Sequence, residues 1–182
     1  MCSRFLRDLA LNDEVYISIV PGIFPVPSVS SPLLLIGPGT GVAPMRSMIH
    51  ERAAKAQSDS SADSLLFYGC RSESDDYMFQ EEWQKLEKSS NVHVHVAFSR
   101  LGTNAGRYVT HDIRDNGFAV WSILQRNDCI VMIAGSAKKM PQDVIKALVS
   151  VVQEHGRVSD QDATLFVNSL QRQKRLYIEC WS

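Results

Sequence analysis

Three glycines at alternate positions follow directly after a short apolar run, and this arrangement limits the folds open to the chain. The apolar run is Leu33–Ile36, the glycines are Gly37, Gly39 and Gly41, and apolar residues at helical spacing follow from Val42. Glycine permits backbone angles and close approaches that a Cβ would prevent. The pattern predicts a strand, a tight turn and the start of a helix, with backbone N–H groups placed to meet a phosphate.

This turn differs from two well-known phosphate-binding sequences. No Gly-Lys-Ser/Thr follows it, so it is not a P-loop, and its third glycine comes one residue earlier than in Gly-x-Gly-x-x-Gly. A glycine-rich turn alone is therefore a weak indication of a nucleotide site, and the rest of the chain has to support it.

Apolar runs typical of buried strands alternate with segments of helical spacing along the remaining chain. The predicted strands cover residues 33–36, 65–70, 91–98, 129–135 and 176–181. Near-continuous apolar strands that alternate with helices are typical of a parallel sheet covered on both faces. The predicted fold class is α/β, a Rossmann-like doubly wound parallel sheet of about five strands.

Local signals mark the ends of several predicted helices. Pro141 suits the first turn of a helix that ends before Gly156, a plausible residue for the turn after a helix. Ser159 and Asp162 resemble a capping box at the start of the next helix. The helical region after residue 108 is expected to break near Gly117.

The first 30 residues differ from the rest of the chain. Residues 14–20 alternate between faces and predict a strand, and the proline-rich stretch 21–28 predicts an extended linker. A single strand cannot bury its own apolar face. We therefore expect residues 1–30 to be the end of a preceding domain plus linker, and residues 31–182 to form the nucleotide-binding domain.

Composition excludes several classes of protein. The net charge of −1 gives no reason to expect nucleic acid or an anionic membrane as a partner, and no apolar run approaches the length of a membrane span. The four cysteines are widely spaced, which predicts reduced thiols in a cytoplasmic protein. His93 and His95 share one face of a strand, but no third ligand is in view, so no metal site is predicted.

Residues suited to a phosphorylated dinucleotide lie at the end of each predicted strand or just after it. They are the glycine turn, Arg71, the pair Ser99 and Arg100, Gly135, and finally Glu179 and Trp181. The carboxyl ends of parallel strands share one edge, so these residues should converge there. An acidic residue after the second or third strand would bind a ribose 2′-hydroxyl, whereas arginines stand there, which favours NADPH over NADH. The absence of a nucleophilic Lys or His constellation fits hydride transfer.

Ordered blocks of this sequence resemble the NADPH-binding module of the diflavin reductases, the family of cytochrome P450 reductase, the nitric oxide synthase reductase domains and methionine synthase reductase. The blocks cover residues 35–44, 68–71, 97–100, 108–111 and 181–182. Residues 133–144 are most similar to the NADPH-dependent diflavin oxidoreductase branch, which is associated with cytosolic iron–sulfur assembly. The resemblance implies a flavoprotein oxidoreductase in which hydride passes from NADPH to FAD, and electrons then pass through FMN to a protein acceptor such as anamorsin.

The resemblance also implies roles for individual residues. Thr40 would contact the nicotinamide–pyrophosphate region, Ser99 and Arg100 the 2′-phosphate, and Tyr108 the adenosine. Trp181 would cover the flavin, and Asp143 would face the cofactor from the start of its helix. Further NADPH contacts would come from Gly37, Gly39, Gly41, Arg71, Gly106, Arg107, Val109, Thr110 and Gly135. Cys2 and Ser3 resemble the end of a segment that touches the FAD phosphates, and Glu179 joins Trp181 as a predicted catalytic residue.

The sequence departs from the family at three positions, and two other functions stay open. Many relatives have a cysteine where Ala134 stands, often an aspartate in place of Glu179, and a lysine in place of Gly106, with Arg107 here beside it. One alternative is a non-catalytic NADP-binding sensor or scaffold domain, although the presence of Trp181 argues against it. The other is a single-flavin reductase of the ferredoxin–NADP type. We expect the isolated chain to bind NADP(H) without holding flavin tightly.

Overall fold

Five apolar segments form the strands of one parallel sheet in the computed structural model, which describes residues 2–55, 62–100 and 106–181. The strands are β1 (Leu33–Ile36), β2 (Ser64–Cys70), β3 (Val92–Phe98), β4 (Ile130–Ser136) and β5 (Leu176–Trp181). The helices are α1 (Cys2–Asp8), α2 (Val42–Lys55), α3 (Glu73–Asp76), α4 (Gln80–Ser89), α5 (Val109–Asp115), α6 (Gly117–Leu124), α7 (Met140–Gly156) and α8 (Asp160–Arg172). A 3₁₀ turn over Gly39–Gly41 joins β1 to α2. The predicted α/β, Rossmann-like class is confirmed.

The order of the strands places the glycine turn at the centre of the sheet. Neighbouring strands follow the order β3-β2-β1-β4-β5, and every pair is parallel. The chain moves outward from β1 through β2 to β3, and then returns to the other side of β1 for β4 and β5. Open α/β sheets bind ligands outside the carboxyl ends of the strands at such a reversal. The turn after β1 occupies that position.

Helices on both faces of the sheet bury two hydrophobic clusters. One cluster joins Leu34 and Ile36 to α5, α6, α7 and α8. The other joins Leu33 and Leu35 to α2 and α4. Successive side chains of a strand point to opposite faces, so β1 needs apolar residues at every position, and all four are buried.

The structure confirms three helix-end signals and corrects a fourth. Pro141 lies in the first turn of α7, and the helical region breaks between the end of α5 at Asp115 and the start of α6 at Gly117. The Ser159 hydroxyl accepts a hydrogen bond from the backbone N–H of Asp162 at 3.1 Å, as the capping box predicts. Gly156 was predicted to follow α7, but it is the last helical residue, and Arg157 adopts the left-handed conformation with φ of 54°. Gly156 instead serves packing between helices, because a Cβ there would lie 3.2 Å from the Trp121 ring.

The predicted strand over residues 14–20 is wrong for this structure. The segment lies outside every helix and strand, and Tyr16, Ile17 and Ile19 are exposed. A strand needs a neighbour for its backbone hydrogen bonds, and the described residues offer none beside this segment. No helix among the described residues has both the length and the apolar character needed to cross a bilayer.

A buried arginine attaches the segment before β1 to α2. The Arg52 guanidinium donates hydrogen bonds to the carbonyl oxygens of Val29 at 2.5 Å, Ser31 at 2.7 Å and Ala62 at 2.7 Å. Phe24 packs against the cluster that contains α2. These contacts hold residues 24–31 on the sheet-and-helix body, while the division of the chain into residues 1–30 and 31–182 stays a prediction.

Candidate functional site

A cavity of about 470 Å³ opens at the carboxyl ends of β1, β2 and β3. Its walls come from the loops after these strands and from the first turns of α5 and α7. The lining residues are Pro38, Gly39, Gly69, Cys70, Arg71, Asp76, Ala97, Ser99, Arg107, Tyr108, Val109, Thr110, Met140 and Asp143. Small-molecule sites commonly occupy about 300–1,000 Å³, so the cavity is large enough for part of a nucleotide.

The glycine turn combines close packing at one glycine with open space at another. A Cβ on Gly41 would overlap the carbonyl group of Ala134 at the end of β4. A Cβ on Gly39 would meet no atom within 4 Å, and Gly39 has a positive φ of 60°. Gly41 therefore lets the turn lie against β4. Gly39 leaves the backbone in the cavity wall open to a ligand.

Asp76 holds Arg71 in the cavity wall. The Asp76 carboxylate accepts hydrogen bonds from the Arg71 backbone N–H at 2.7 Å, the Arg71 Nε at 2.9 Å and the Ser72 backbone N–H at 3.1 Å. The hydrogen bond from the guanidinium lowers the pKa of Asp76 below its usual value. The Tyr68 hydroxyl donates to the Asp76 carbonyl oxygen at 2.8 Å, which supports the same turn. A ligand in the cavity would therefore meet Arg71 as half of an ion pair.

The loops after β2 and β3 are joined by backbone hydrogen bonds. The Ser99 N–H donates to the Cys70 carbonyl at 2.9 Å, and the Arg100 N–H donates to the Arg71 carbonyl at 2.7 Å. Gly106 lies against Ser99, because a Cβ there would overlap the Ser99 carbonyl group. The Arg100 side chain is exposed and forms no ion pair with any carboxylate of the described residues. It brings an unneutralised positive charge next to the Ser99 side of the cavity.

Arg107 also lines the cavity, but its charge is neutralised by α5. Its Nε donates to Asp112 Oδ1 at 2.9 Å, and its Nη2 contacts both Asp112 Oδ1 and Asp115 Oδ2 at 2.5 Å. These hydrogen bonds raise the pKa of Arg107 above its usual value. The Asp112 side chain is 10% exposed and that of Asp115 is 60% exposed. One carboxylate is thus part of the core and the other lies on the surface.

Cys70 contributes a buried thiol to the cavity wall. Burial raises the pKa of this thiol to about 11, so it is protonated at neutral pH. Cys70, Cys129 and Cys180 are all unpaired in the described part of the chain. The cavity thus presents Cys70 as a small, largely apolar surface rather than as a thiolate nucleophile.

The end of β5 lies on the same sheet edge, beyond β4. Register pairs Ser136 with Trp181 and Ala134 with Glu179, so Glu179 lies beside Ala134 on the face that α2 covers. Trp181 is 42% exposed. Gly135 has φ of 140°, and a Cβ there would lie 3.1 Å from a carbonyl oxygen of the glycine turn. The β4 and β5 ends therefore continue the edge that starts at the cavity.

The structure brings about half of the predicted site residues into the cavity. These are Gly39, Arg71, Ser99, Arg107, Tyr108, Val109, Thr110 and Asp143. Others lie at the same edge, in the strand ends or in the loops after them, without lining the cavity: Gly37, Thr40, Gly41, Arg100, Gly106, Gly135, Glu179 and Trp181. The side chains of Cys2 and Ser3 lie outside the described residues. The binding roles of all these residues stay predictions.

Three aspartates at the site were not anticipated. Asp76, Asp112 and Asp115 are the partners of the cavity arginines. The separations from Arg107 to Asp112 and Asp115 are five and eight residues, across the start of a helix. Arg107 precedes the helix, and neither separation is the three or four residues of a helical side-chain pair, so sequence spacing carried no signal for these pairs.

Comparison with known proteins supports the assignment of this cavity to a nucleotide-binding fold. Residues 35–146 match the family model of the oxidoreductase NAD-binding domain. NADPH-dependent diflavin oxidoreductase 1 from Schizosaccharomyces pombe is 37% identical over 182 residues, covering all of this chain and 30% of the relative. The mouse (Mus musculus) protein of the same name is also 37% identical, over 187 residues, covering all of this chain and 30% of the relative.

A bacterial relative covers slightly less of the chain. The sulfite reductase [NADPH] flavoprotein alpha-component of Aliivibrio fischeri is 40% identical over 147 residues, covering 80% of this chain and 24% of the relative. The chain thus spans under a third of the length of these curated relatives.

The relatives confirm the resemblance to the diflavin reductases. The family model starts within β1, includes the glycine turn and the loops that form the cavity, and ends in α7. It covers more than half of the 182 residues. From its sheet topology, its glycine turn and this match, the chain belongs to the oxidoreductase NAD-binding domain family.

Proposed function

We propose that this chain is the NADPH-binding domain of a diflavin oxidoreductase. The observation that carries the proposal is the position of Ser99 and Arg100 beside the cavity that begins at the glycine turn, with no carboxylate among the described residues paired to Arg100. Open backbone at Gly39 suits a pyrophosphate, and the hydroxyl and guanidinium suit a 2′-phosphate. The residues present therefore fit NADPH. The names of the relatives, which include NADPH, support the same nucleotide.

The sheet edge indicates how the nucleotide would lie. Ser99 follows β3 and Trp181 ends β5, the two outer strands, which are four strand spacings or about 19 Å apart. We place the adenosine 2′-phosphate near Ser99 and Arg100, with Tyr108 beside the adenosine. The pyrophosphate then lies across the glycine turn, near Thr40. This places the nicotinamide end toward Gly135 and Trp181.

The chain's own contribution to the reaction is to bind and orient. NADPH supplies the hydride and the flavins supply the electron-carrying chemistry when they are bound. Asp143, at the start of α7, would face the middle of the nucleotide, and Trp181 would cover the flavin face and move aside for the nicotinamide. Glu179, beside Ala134, is the acidic residue nearest to Trp181 along β5. Hydride transfer depends chiefly on the alignment of the reacting groups, so the domain would contribute to the reaction through these positioning contacts.

The complete protein would contain FAD and FMN domains in addition to this one. Residues 1–30, including Cys2 and Ser3, would belong to the FAD domain, with those two residues near the FAD phosphates. Electrons would leave through FMN to a protein acceptor, with anamorsin and cytosolic iron–sulfur assembly as the expected partner and process. The exposed apolar residues 15–20 support a neighbouring domain, because they lack a partner in the described residues. We place the protein in the cytoplasm.

Calorimetric titration with 2′,5′-ADP and with 5′-AMP tests the NADPH site. Charge-assisted hydrogen bonds to the 2′-phosphate are each worth about 1.5–3 kcal/mol before desolvation, so we expect at least about a tenfold preference for 2′,5′-ADP. Arg100→Ala should abolish most of this preference. Arg172→Ala is the matched control, since Arg172 is an exposed arginine at the end of α8, at the opposite edge of the sheet. Equal affinity for the two nucleotides would refute the NADPH site.

A further inference from the structure

The arginines at the cavity differ in how much positive charge they leave for a ligand. Arg71 is paired with Asp76, and Arg107 is paired with two aspartates. Arg100 is the arginine of this group without a carboxylate partner in the described ranges. The 2′-phosphate subsite is therefore less positive than its arginine content implies.

Arg107 has more negative charge around it than it can neutralise. Its Nε and Nη2 donors serve Asp112 and Asp115, and among the described residues only its Nη1 donors have no hydrogen-bond partner. Asp112 is nearly buried and requires a cationic partner, which is the structural reason for the first pair. Asp115 is 60% exposed and could be solvated by water instead. Asp115 thus adds a negative charge beside Arg107, which lines the cavity, although the core does not require this second carboxylate.

We propose that Asp115 limits the affinity of this domain for a ligand 2′-phosphate by sequestering Arg107. This inference rests on the proposed function and concerns a residue that does not line the cavity itself. A phosphate near Ser99 competes with Asp115 for the guanidinium, and it is repelled by the same carboxylate. Both effects act in one direction, so removal of the Asp115 charge should strengthen binding.

The test is Asp115→Asn, measured by calorimetric titration with 2′,5′-ADP and 5′-AMP. Exposed ion pairs contribute little, so we expect 2′,5′-ADP to bind about two- to fivefold more tightly, with 5′-AMP unchanged. The conservative variant Asp115→Glu keeps the charge and should keep the original affinity. Asp128→Asn is the matched control: Asp128 pairs with Arg126 on the surface, directly before β4 begins at the opposite edge of the sheet.

A second variant shows whether the gain passes through Arg107. Adding Arg107→Gln to Asp115→Asn should abolish the gain, with the thermal midpoint measured to confirm folding. If this double variant unfolds, Asp112→Asn is added to it, which removes the buried charge that Arg107 neutralises. The triple variant is expected to lose the gain in affinity as well.

The outcomes separate this inference from the proposed function. Selective binding of 2′,5′-ADP by the unmodified chain, with unchanged or weaker binding in Asp115→Asn, overturns the role of Asp115 alone. An equal gain in Asp128→Asn also overturns it, since the effect would then be one of net charge. Absence of a 2′-phosphate preference in the unmodified chain overturns both proposals.

Discussion

Gly41→Ala should destabilise the fold more than Gly39→Ala, although both replace a glycine of the same turn. A Cβ on Gly41 would overlap the Ala134 carbonyl oxygen and lie 2.6 Å from the carbonyl carbon. Both are backbone atoms of β4, so no side-chain rotation relieves the overlap. Overpacking typically costs about 1–3 kcal/mol, and the rigid neighbour places this site near about 3 kcal/mol. Alanine recovers about 0.5 kcal/mol through the unfolded state, which leaves about 2.5 kcal/mol.

Gly39→Ala is the matched control, because its cost has a different origin. No atom lies within 4 Å of the added Cβ, but the φ of 60° is unfavourable for an L-residue. That conformation costs about 1–2 kcal/mol, and the unfolded-state effect returns about 0.5 kcal/mol of it. The expected loss is about 1 kcal/mol. Nucleotide binding should fall in this variant, since the added methyl group stands where the backbone faces the cavity.

Thermal and urea denaturation of the two variants measure this difference. For a chain of 182 residues, each kcal/mol corresponds to a shift of about 2–4 °C in the thermal midpoint. Gly41→Ala should therefore lower the midpoint by about 5–10 °C and Gly39→Ala by about 2–4 °C. A Gly41→Ala variant as stable as the original chain would refute the close packing of the turn against β4.

Two further predictions concern stability away from the cavity. Arg52→Met should destabilise the fold by about 2–4 kcal/mol in urea denaturation, because three partly buried carbonyl groups lose a charged donor. Lys55→Met on the exposed end of the same helix should change stability by no more than about 0.5 kcal/mol. Equal losses of stability in the two variants would contradict the role of Arg52 in holding these carbonyl groups. His95 stacks on Phe67 with ring centres 4.9 Å apart, and burial lowers its pKa. The unfolded chain then binds more protons, so the neutral histidine contributes stability above about pH 6.5 that is lost as pH falls toward the folded pKa. His95→Gln should flatten the loss of stability between pH 7.5 and 5, and an unchanged slope would rule out this contribution.

Local sequence patterns predicted most of the secondary structure, with particular exceptions. Four consecutive apolar residues before Gly37 indicated β1, because a strand covered on both faces needs apolar side chains at every position. The same kind of argument failed for residues 14–20, where alternation was present but no neighbouring strand accompanies it in the described residues. Gly156 was assigned to a turn, whereas its lack of a Cβ serves contact with Trp121. Periodicity indicates which side chains are suited to burial, but it does not indicate whether a neighbouring strand or helix is present to bury them.

For the candidate site, too, the sequence predicted one part and only the structure showed the other. The sequence by itself determined the edge at which the site lies, because glycines, arginines and a serine follow the strands, and parallel strands bring their carboxyl ends together. Only the tertiary structure decided how much charge those arginines offer. Arg71 and Arg107 meet Asp76, Asp112 and Asp115 through loop geometry that no residue spacing encodes. Strand and turn formation depend on local residue types, whereas electrostatic pairing depends on distances that exist only after the chain has folded.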